Sequence, residues 1–244
     1  MLSHLLSPNK LSSSHPISPP HPLRLHLYLE ASKPVPFDYL PTLKSAFHLW
    51  TGHNDALHDG LSLYSYSWLR GGRAGRGGIR FSEGAHWFIS APDRAVIHAI
   101  ISGVLRAPAI DLGLRVQDVR MQEAPEFAAG EQPFRVASPV FIKHETEKGK
   151  PAAHLLPGHA LADELLTTTL RHKLRQAGLD DAGAAVRFDP AYIATAKSKL
   201  FKYKQVQCRG SICPVLVSGS AGQIQFAWEV GVGHSTGIGC GALV

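Results

Sequence analysis

The last fourteen residues of the chain read GVGHSTGIGCGALV, from Gly231 to Val244. They contain two Gly-x-Gly pairs, Gly231/Gly233 and Gly239/Gly241, with five residues between the pairs. Glycine at this density indicates positive φ angles or a backbone that lies against a bulky neighbour. Successive amide N–H groups can also form a concavity that binds phosphate. The pattern therefore allows two interpretations: an anion cradle, or a final turn and strand packed closely against neighbouring protein.

This glycine-rich segment lacks the two common nucleotide-binding signatures. A Walker A loop ends in Gly-Lys-Ser/Thr, which the segment does not contain. The dinucleotide-binding fingerprint requires a third glycine at the position of Thr236, followed by a helix. The sequence therefore predicts no nucleotide cofactor, and we expect no cofactor of another kind.

The composition predicts a globular protein with a polyanionic partner. The chain has 244 residues, of which 44% are hydrophobic, enough for the core of one large domain or of two small ones. The formal net charge is +6 at pH 7, which favours a polyanion. The three cysteines, Cys208, Cys213 and Cys240, lack Cys-x-x-Cys spacing. We therefore expect no structural metal and a reducing cytoplasm.

The first 21 residues differ in composition from the rest of the chain. They are rich in Ser, Pro, His and Leu and contain neither a continuous apolar region nor a small-residue cleavage site. We expect residues 1–21 to form a disordered tail rather than a signal peptide. No other segment reaches the roughly 18 apolar residues of a spanning helix, so we expect no membrane partner.

The first half of the chain, residues 22–128, predicts the element order β-α-β-β-α-β. Alternation from Leu23 predicts a strand, and Pro41 suits the first turn of a helix. A Gly/Arg stretch at 70–80 predicts a hairpin tip between two strands. Ser90 and Asp93 resemble a capping box before a buried helix, and a further strand follows. This is the order of a ferredoxin-like domain.

The second half, residues 129–244, predicts a second and less regular domain of the same kind. Phe134 to Ile142 is typical of a strand, and Leu161 to Gln176 of an amphipathic helix that ends at Gly178. Four further pieces have strand-like patterns: Val186 to Phe188, Ala194 to Gln207, Pro214 to Val217, and Gln223 to Val230. We expect an α+β protein of two tandem ferredoxin-like (RRM-like) domains, the second with a degenerate or absent second helix.

Five features, in this order, resemble the CRISPR-associated endoribonucleases of the RAMP superfamily that cut precursor CRISPR RNA, the Cas6 family. They are Tyr39-Leu40-Pro41, Leu57-His58-Asp59 with Leu63-Tyr64-Ser65-Tyr66-Ser67, Ile89-Ser90-Ala91-Pro92, Ser138-Pro139-Val140, and the closing glycine pattern. Three departures from the family pattern concern single residues. Cys240 stands where the family commonly has Phe, and Ser62 is the nearest residue to a Lys that some members carry. His48 stands where some members have Tyr on the first helix, although a His pair is also known within the family.

The resemblance implies two domains facing across a cleft, with the glycine-rich segment near the RNA. It also implies metal-independent cleavage within CRISPR repeats, by 2′-hydroxyl attack that leaves a 2′,3′-cyclic phosphate and a 5′-hydroxyl. CRISPR repeat RNA is the implied partner, and further subunits of a CRISPR complex remain open. Monomer and homodimer both remain open. Two alternatives to the nuclease are a repeat-binding protein that does not cut and a scaffold subunit.

Cleavage of this kind needs a base for the 2′-hydroxyl and an acid for the leaving 5′-oxygen. Histidine suits both roles near neutral pH. His58 occupies the motif position that resembles the family's catalytic histidine, and His48 lies on the polar face of the first helix. We therefore predict His58 and His48 as the catalytic pair.

Further residues are candidates for RNA contact through charge, loop position or backbone. They are Lys44, Arg73, Arg76, Lys199, Lys202, Gly231, Gly233, His234, Gly239 and Gly241. Strand geometry places Lys197 and Lys199 on one face and Lys202 and Lys204 on the other, so a continuous basic stripe stays open. Ordinary solvated charge is the alternative interpretation for each lysine.

Overall fold

The computed structural model describes residues 23–52, 61–145 and 152–244. The predicted tail lies outside these residues. No helix within them is both long enough and apolar enough to cross a membrane. The predicted mixed architecture of helices and antiparallel sheets is confirmed.

The first half forms a five-stranded antiparallel sheet with order β2-β5-β1-β7-β6. Its strands, with a separate hairpin of β3 and β4, are β1 (Leu23–Ala31), β2 (Ser65–Tyr66), β3 (Arg73–Gly75), β4 (Gly78–Arg80), β5 (Ala85–Ala91), β6 (Ala109–Ile110) and β7 (Leu114–Glu123). Strand β1 begins at the predicted residue, and Leu25, Leu27 and Leu29 are buried on one face. Strand β1 therefore has the buried apolar face that its alternation predicts.

Two helices cover the buried face of this sheet. Helix α1 (Leu40–Thr51) starts next to Pro41 and stops at Gly52, as predicted, and it buries Leu43, Phe47 and Trp50. Helix α2 (Arg94–Arg106) is capped by Asp93 alone, whose side chain accepts from the Ala95 N–H. The capping box predicted from Ser90 is wrong, because Ser90 lies within β5 and pairs with the β1 strand.

The second half has a three-stranded sheet in the order β11-β14-β8. The elements of this half are β8 (Gly130–Phe134), β9 (Lys143–His144), β10 (Ala153–His154), α3 (Ala162–Gln176), β11 (Ala185–Phe188), α4 (Pro190–Ile193), β12 (Lys197–Tyr203), β13 (Val206–Ile212), β14 (Val215–Gly219) and α5 (Ala221–Val230). Beyond β8, Arg135 and Val244 exchange backbone hydrogen bonds. The end of the chain thus adds a short fourth strand beside β8.

The prediction of a strand at Gln223 to Val230 is wrong, because these residues belong to helix α5. Ser220 caps the helix by accepting from the Gln223 N–H, and the Gln223 side chain accepts from the Ser220 N–H. This is a capping box, whose Ser-x-x-Gln signature is present in the sequence. The second half therefore has the second helix that the sequence analysis omitted.

The prediction of one strand-like piece from Ala194 to Gln207 also needs correction. Strands β12 and β13 form a hairpin over this region, separate from the three-stranded sheet. Lys204 lies in its turn with φ 53°, a left-handed conformation. The pairing of β12 with β13 runs without a register shift. Lys199 and Lys202 therefore face opposite sides of the hairpin, as predicted.

Arg24 joins the two halves at their centre. Its side chain is buried, although the alternation places it on the polar face of β1. The guanidinium lies over the rings of Phe88 and Trp228 and donates to the carbonyls of Trp228 (3.1 Å) and Leu243 (2.9 Å). Burial lowers its pKa to about 9, partly offset by Glu229. A residue of the first strand thus fixes the last helix and the end of the chain.

The exposed side of the first sheet carries a stacked pair of histidines. His26 Nδ1 lies 2.8 Å from His86 Nε2, and His26 Nε2 lies 2.7 Å from Gln122 Oε1. Because the Gln122 carbonyl oxygen only accepts, His26 carries its proton on Nε2 and accepts on Nδ1. Burial, together with His26 and Arg70, lowers the pKa of His86 to about 4. Both rings are therefore neutral at pH 7.

Candidate functional site

The glycine-rich segment, residues 231–241, lies at the junction of the two halves. From the first half, Trp68 Nε1 donates to the Gly239 carbonyl (2.7 Å) and the Tyr66 hydroxyl donates to the Gly237 carbonyl (3.3 Å). From the second half, the Pro139 carbonyl accepts from the Gly241 N–H (2.9 Å). The segment is therefore held by hydrogen bonds on both sides.

All four glycines of the two Gly-x-Gly pairs are buried and have positive φ, from 62° to 88°. A Cβ on Gly239 would lie 2.8 Å from the Tyr66 ring, and one on Gly241 would overlap the Val232 carbonyl. The N–H groups of Gly231, Gly239 and Gly241 donate to protein carbonyls. Close packing against protein therefore explains these glycines.

The prediction that these four glycines contact RNA is therefore replaced by a role in packing the segment. Their atoms meet protein, so they shape the segment rather than offer a free anion cradle. The segment's solvent-facing part is formed by Ser235, which is exposed, and His234, which is half-buried.

A buried lysine secures the segment from the side of α3. Lys173 Nζ donates to the carbonyls of Val230 (3.1 Å) and Gly231 (3.3 Å) and to Thr236 Oγ1 (3.0 Å). Burial lowers the pKa of Lys173 to about 7. Sequence patterns do not distinguish this residue, because its place in the last turn of the helix is typical of a surface lysine near a helix C-terminus.

His234 is the basic side chain of the segment. Its backbone N–H donates to the Phe141 carbonyl (2.8 Å), and its ring Nδ1 accepts from the backbone N–H of Lys143 (3.3 Å). Nδ1 is thus an acceptor, which puts the proton of the neutral ring on Nε2. Burial, followed by the charges of Lys173 and Lys143, lowers the pKa of the imidazole. His234 therefore presents a neutral ring with one N–H donor.

On the first half, α1 carries His48 and Lys44 on neighbouring turns of one side. His48 is half-buried, and its ring contacts the Phe47 ring edge-on at a centroid distance of 5.4 Å. Phe47 in turn stacks on Tyr64 at 4.3 Å. His48 is therefore attached to a packed aromatic layer rather than to a freely solvated helix face.

Lys44 is electrostatically coupled to Lys204, which lies in the β12–β13 turn of the second half. The pKa of Lys44 is lowered by burial and then by the charge of Lys204. Neither lysine takes part in an ion pair with the residues of the described ranges. Two neighbouring ammonium groups repel each other, and a bound phosphate would relieve that repulsion. In the sequence, Lys204 belongs to the basic run that contains Lys199 and Lys202, and no sequence pattern predicts that it is coupled to α1.

Ser62 and Tyr64 lie where the glycine-rich segment meets the irregular residues that lead into β2. The Ser62 carbonyl accepts from Thr236 Oγ1 (3.4 Å), and a Cβ on Gly237 would lie 3.0 Å from the Tyr64 hydroxyl. Burial raises the pKa of Tyr64 to about 12, so this phenol stays protonated at pH 7. Ser62 supplies no charge here, so Lys44 and Lys204 are the cations that the structure brings to this side of α1.

His58 lies outside the described residues, within 53–60. In the sequence these residues follow α1 and precede Leu61. The pairing of His58 with His48 stays a prediction from sequence.

The remaining candidates lie on the two hairpins. Arg73 and Arg76 are exposed on the β3–β4 hairpin, where they line a shallow depression together with Arg80. Lys199 and Lys202 are exposed on β12, and Lys199 Nζ lies 5.9 Å from the centre of the Trp68 ring. The charge of Lys204 thus acts on Lys44, and the other basic candidates lie on two separate hairpins. Across the described ranges, no three His, Cys, Asp or Glu side chains are grouped as metal ligands would be.

Comparisons with known proteins point to one family. The family model described as "CRISPR associated protein Cas6, C-terminal" matches residues 122–244. Curated protein sequences gave no match.

Three solved structures resemble the chain closely in fold. One described as "CRISPR associated protein Cas6" has 22% identity and a TM-score of 0.75, covering 91% of this chain and 98% of its own. "An RAMP protein binding different RNA substrates" has 20% identity and a TM-score of 0.78, with coverage of 91% and 98%. A Cas6-related protein from Pyrococcus furiosus has 20% identity and a TM-score of 0.78, with coverage of 92% and 97%.

Proposed function

This chain belongs to the Cas6 family of CRISPR-associated proteins, and we therefore propose that it is a metal-independent endoribonuclease that cuts precursor CRISPR RNA within its repeats. One observation carries the proposal beyond family membership. The charge of Lys204, from the second half, acts on Lys44, which lies on the same helix as His48 and four residues before it. Two cations near a histidine, one from each half of the protein, suit a phosphate that is about to react.

The proposed reaction needs one proton removed and one supplied. A base takes the 2′-hydroxyl proton, the 2′-oxygen attacks the adjacent phosphorus, and the bond to the 5′-oxygen breaks. An acid protonates that 5′-oxygen, which leaves a 2′,3′-cyclic phosphate and a 5′-hydroxyl. We assign these two roles to His58 and His48 and the stabilisation of phosphate charge to Lys44 and Lys204.

We infer that both halves are ferredoxin-like domains and that RNA lies in a cleft between them. The order β2-β5-β1-β7 in the first half supports this. The order β11-β14-β8 with the added terminal strand supports it for the second. The glycine-rich segment is the floor of the cleft in this proposal, and His234 is its RNA-facing side chain.

The decisive experiment incubates the purified protein with its own genomic repeat RNA in EDTA. We expect cleavage at one position per repeat, with a cyclic phosphate on the 5′ fragment. An RNA with 2′-deoxyribose at the scissile position should bind equally well and remain uncut. Intact repeat RNA at saturating protein would refute the nuclease, and cleavage of the 2′-deoxy RNA would refute the mechanism.

Ser62 specifically supports one alternative, a repeat-binding protein that does not cut. It lacks the charge of the lysine that some family members carry, so a repeat-binding protein that does not cut is the second candidate. Tight, salt-sensitive binding in EDTA without product would establish that alternative. A scaffold subunit would show neither strong binding nor cleavage when assayed alone.

Replacing Lys204 with asparagine is expected to weaken binding of the 2′-deoxy RNA by about fivefold. Asparagine tolerates the left-handed conformation of Lys204, remains polar and removes the charge. If Lys204 binds one phosphate, the slope of log affinity against log salt should fall by about 0.7 to 0.9. Lys33→Asn, at another exposed lysine of the first half, is the control. An equal effect of both variants would mean that Lys204 contributes only general charge.

A further inference from the structure

A cavity of about 490 Å³ lies between the β3–β4 hairpin and the β12–β13 hairpin. Its walls come from the segment before α1, the residues after β2, and one side of each hairpin. Nothing in the catalytic proposal uses this space, which we call the two-hairpin cavity. Its size lies within the range of about 300 to 1,000 Å³ typical of sites for small ligands.

The cavity has a rigid aromatic wall. Trp68 lines it, and the indole is fixed by its hydrogen bond to the Gly239 carbonyl (2.7 Å). Phe201 meets the indole edge-on at 5.5 Å, which prevents the ring from turning. An aromatic face held in place in this way is suited to stack on a flat ligand.

The mouth of the cavity exposes apolar side chains. Phe37 is 62% exposed and Leu200 is 52% exposed, and both line the cavity. Large apolar groups in such positions lose favourable burial unless a ligand covers them. The lining also contains Gln207, whose amide both donates and accepts hydrogen bonds.

The charges at the rim identify the kind of ligand. Lys199 and Lys202 line the cavity, against one carboxylate, that of Asp38. Neither lysine is in an ion pair with another part of the chain that the structure describes. The rim therefore favours an anion next to a flat apolar group, which is the chemistry of a nucleotide.

One strand connects the cavity to the proposed cleavage site. Strand β12 carries Lys202 at the cavity and leads into Lys204, whose charge acts on Lys44. Two residues of a strand span about 7 Å, so one RNA strand can reach both places.

We propose that the two-hairpin cavity binds one unpaired nucleobase of the RNA close to the cleaved phosphate, stacked on Trp68 and covered by Phe37 and Leu200. This inference rests on the proposed RNA-processing function and adds a specificity site to it. Lys199 and Lys202, which face opposite sides of the hairpin, contact the phosphates on either side of this base, and the Gln207 amide contacts the base edge. The base must leave its helical stack to enter, so the site selects an unpaired position.

The test measures the affinity of 2′-deoxy-blocked repeat RNAs in which each nucleotide near the cleavage site is replaced in turn by an abasic one. We expect one abasic position to weaken binding by about tenfold, as for the loss of one base–aromatic stack. Phe37→Ala should weaken binding of intact RNA by a similar factor and make that same abasic position nearly silent. Leu200→Ala provides a second exposed variant with the same expected pattern.

Leu105→Ala is the matched control, since Leu105 is 80% exposed on the outer side of α2 and lies outside the cavity lining. It should leave every affinity unchanged. Equal sensitivity at all abasic positions would overturn the inference, as would full and additive abasic effects in Phe37→Ala and Leu200→Ala. A cavity that instead binds a peptide of a protein partner would leave all RNA affinities unchanged.

The outcome for the cavity is separate from the outcome for the proposed function. Wild-type protein that neither binds nor cuts its repeat RNA refutes the function. Wild-type protein that binds and cuts, but does not distinguish any abasic position, refutes the base-binding cavity alone.

Discussion

His58→Ala is expected to slow single-turnover cleavage of repeat RNA by about 10²- to 10⁴-fold, the usual contribution of one general acid or base. His48→Ala is expected to have an effect in the same range. RNA affinity should stay nearly unchanged in both, because a proton-transfer group acts in the transition state rather than in the bound ground state. The measurement pairs cleavage rates with binding of the 2′-deoxy RNA.

The pH dependence of the rate separates proton transfer from a structural effect. With one histidine as base and the other as acid, the wild-type profile should be bell-shaped. Each alanine variant should lose one limb of the bell while retaining the other. A variant that merely disturbs the fold would lower the whole profile without changing its shape.

His172→Ala is the matched control, because His172 is a helical histidine like His48 but lies exposed on α3 of the second half. It should cleave at the wild-type rate. Full activity in both His58→Ala and His48→Ala would mean that other groups transfer the protons, and His234 would be the next residue to replace.

The sequence predicts the first half well because its signals there are local. Pro41 and Gly52 mark the two ends of α1, and the apolar spacing between them selects the buried face. Strand β1 has the clear alternation of a sheet with one buried face. In such elements, the apolar periodicity and the residues that start and stop the element indicate the same structure, and tertiary contacts stabilise it further.

In helix α5, apolar periodicity does not indicate the correct secondary structure. It is short and almost entirely buried, from Gln223 through Val230 with Gln225 as the partly exposed exception. A short apolar run buried on all sides has no face for periodicity to reveal, so it is indistinguishable from a core strand. The Ser220 and Gln223 capping pair was the remaining local signal.

The candidate site is less predictable than the fold because its groups come from distant parts of the chain. Lys44 and Lys204 are 160 residues apart in the sequence, and they are coupled only through the fold. Spacing in sequence contains no information about that coupling. For the glycines, the sequence indicates the need for close approach and leaves open whether RNA or protein is approached.

Gly241→Ala is expected to lower the free energy of unfolding by about 3 kcal/mol, the largest stability effect of any single methyl group in the glycine-rich segment. Gly241 has φ 62°, which costs energy for a residue with a Cβ. The added Cβ would also overlap the Val232 carbonyl, and a backbone carbonyl cannot avoid the overlap by changing a side-chain rotamer. The Val232 N–H donates to the Gly241 carbonyl, so moving either backbone segment breaks that bond.

In thermal unfolding, a loss of this size should lower Tm by about 6 to 12 °C for a chain of this length. Gly222→Ala is the control, because Gly222 lies in the first turn of α5 with no atom within 4 Å of an added Cβ. That variant should be as stable as wild type or up to about 1 kcal/mol more stable. Equal Tm values for the two variants would show that the segment is not confined between the halves. If it is confined, Gly241→Ala should also lose RNA affinity, which His58→Ala and His48→Ala retain, because the segment supports both sides of the proposed cleft.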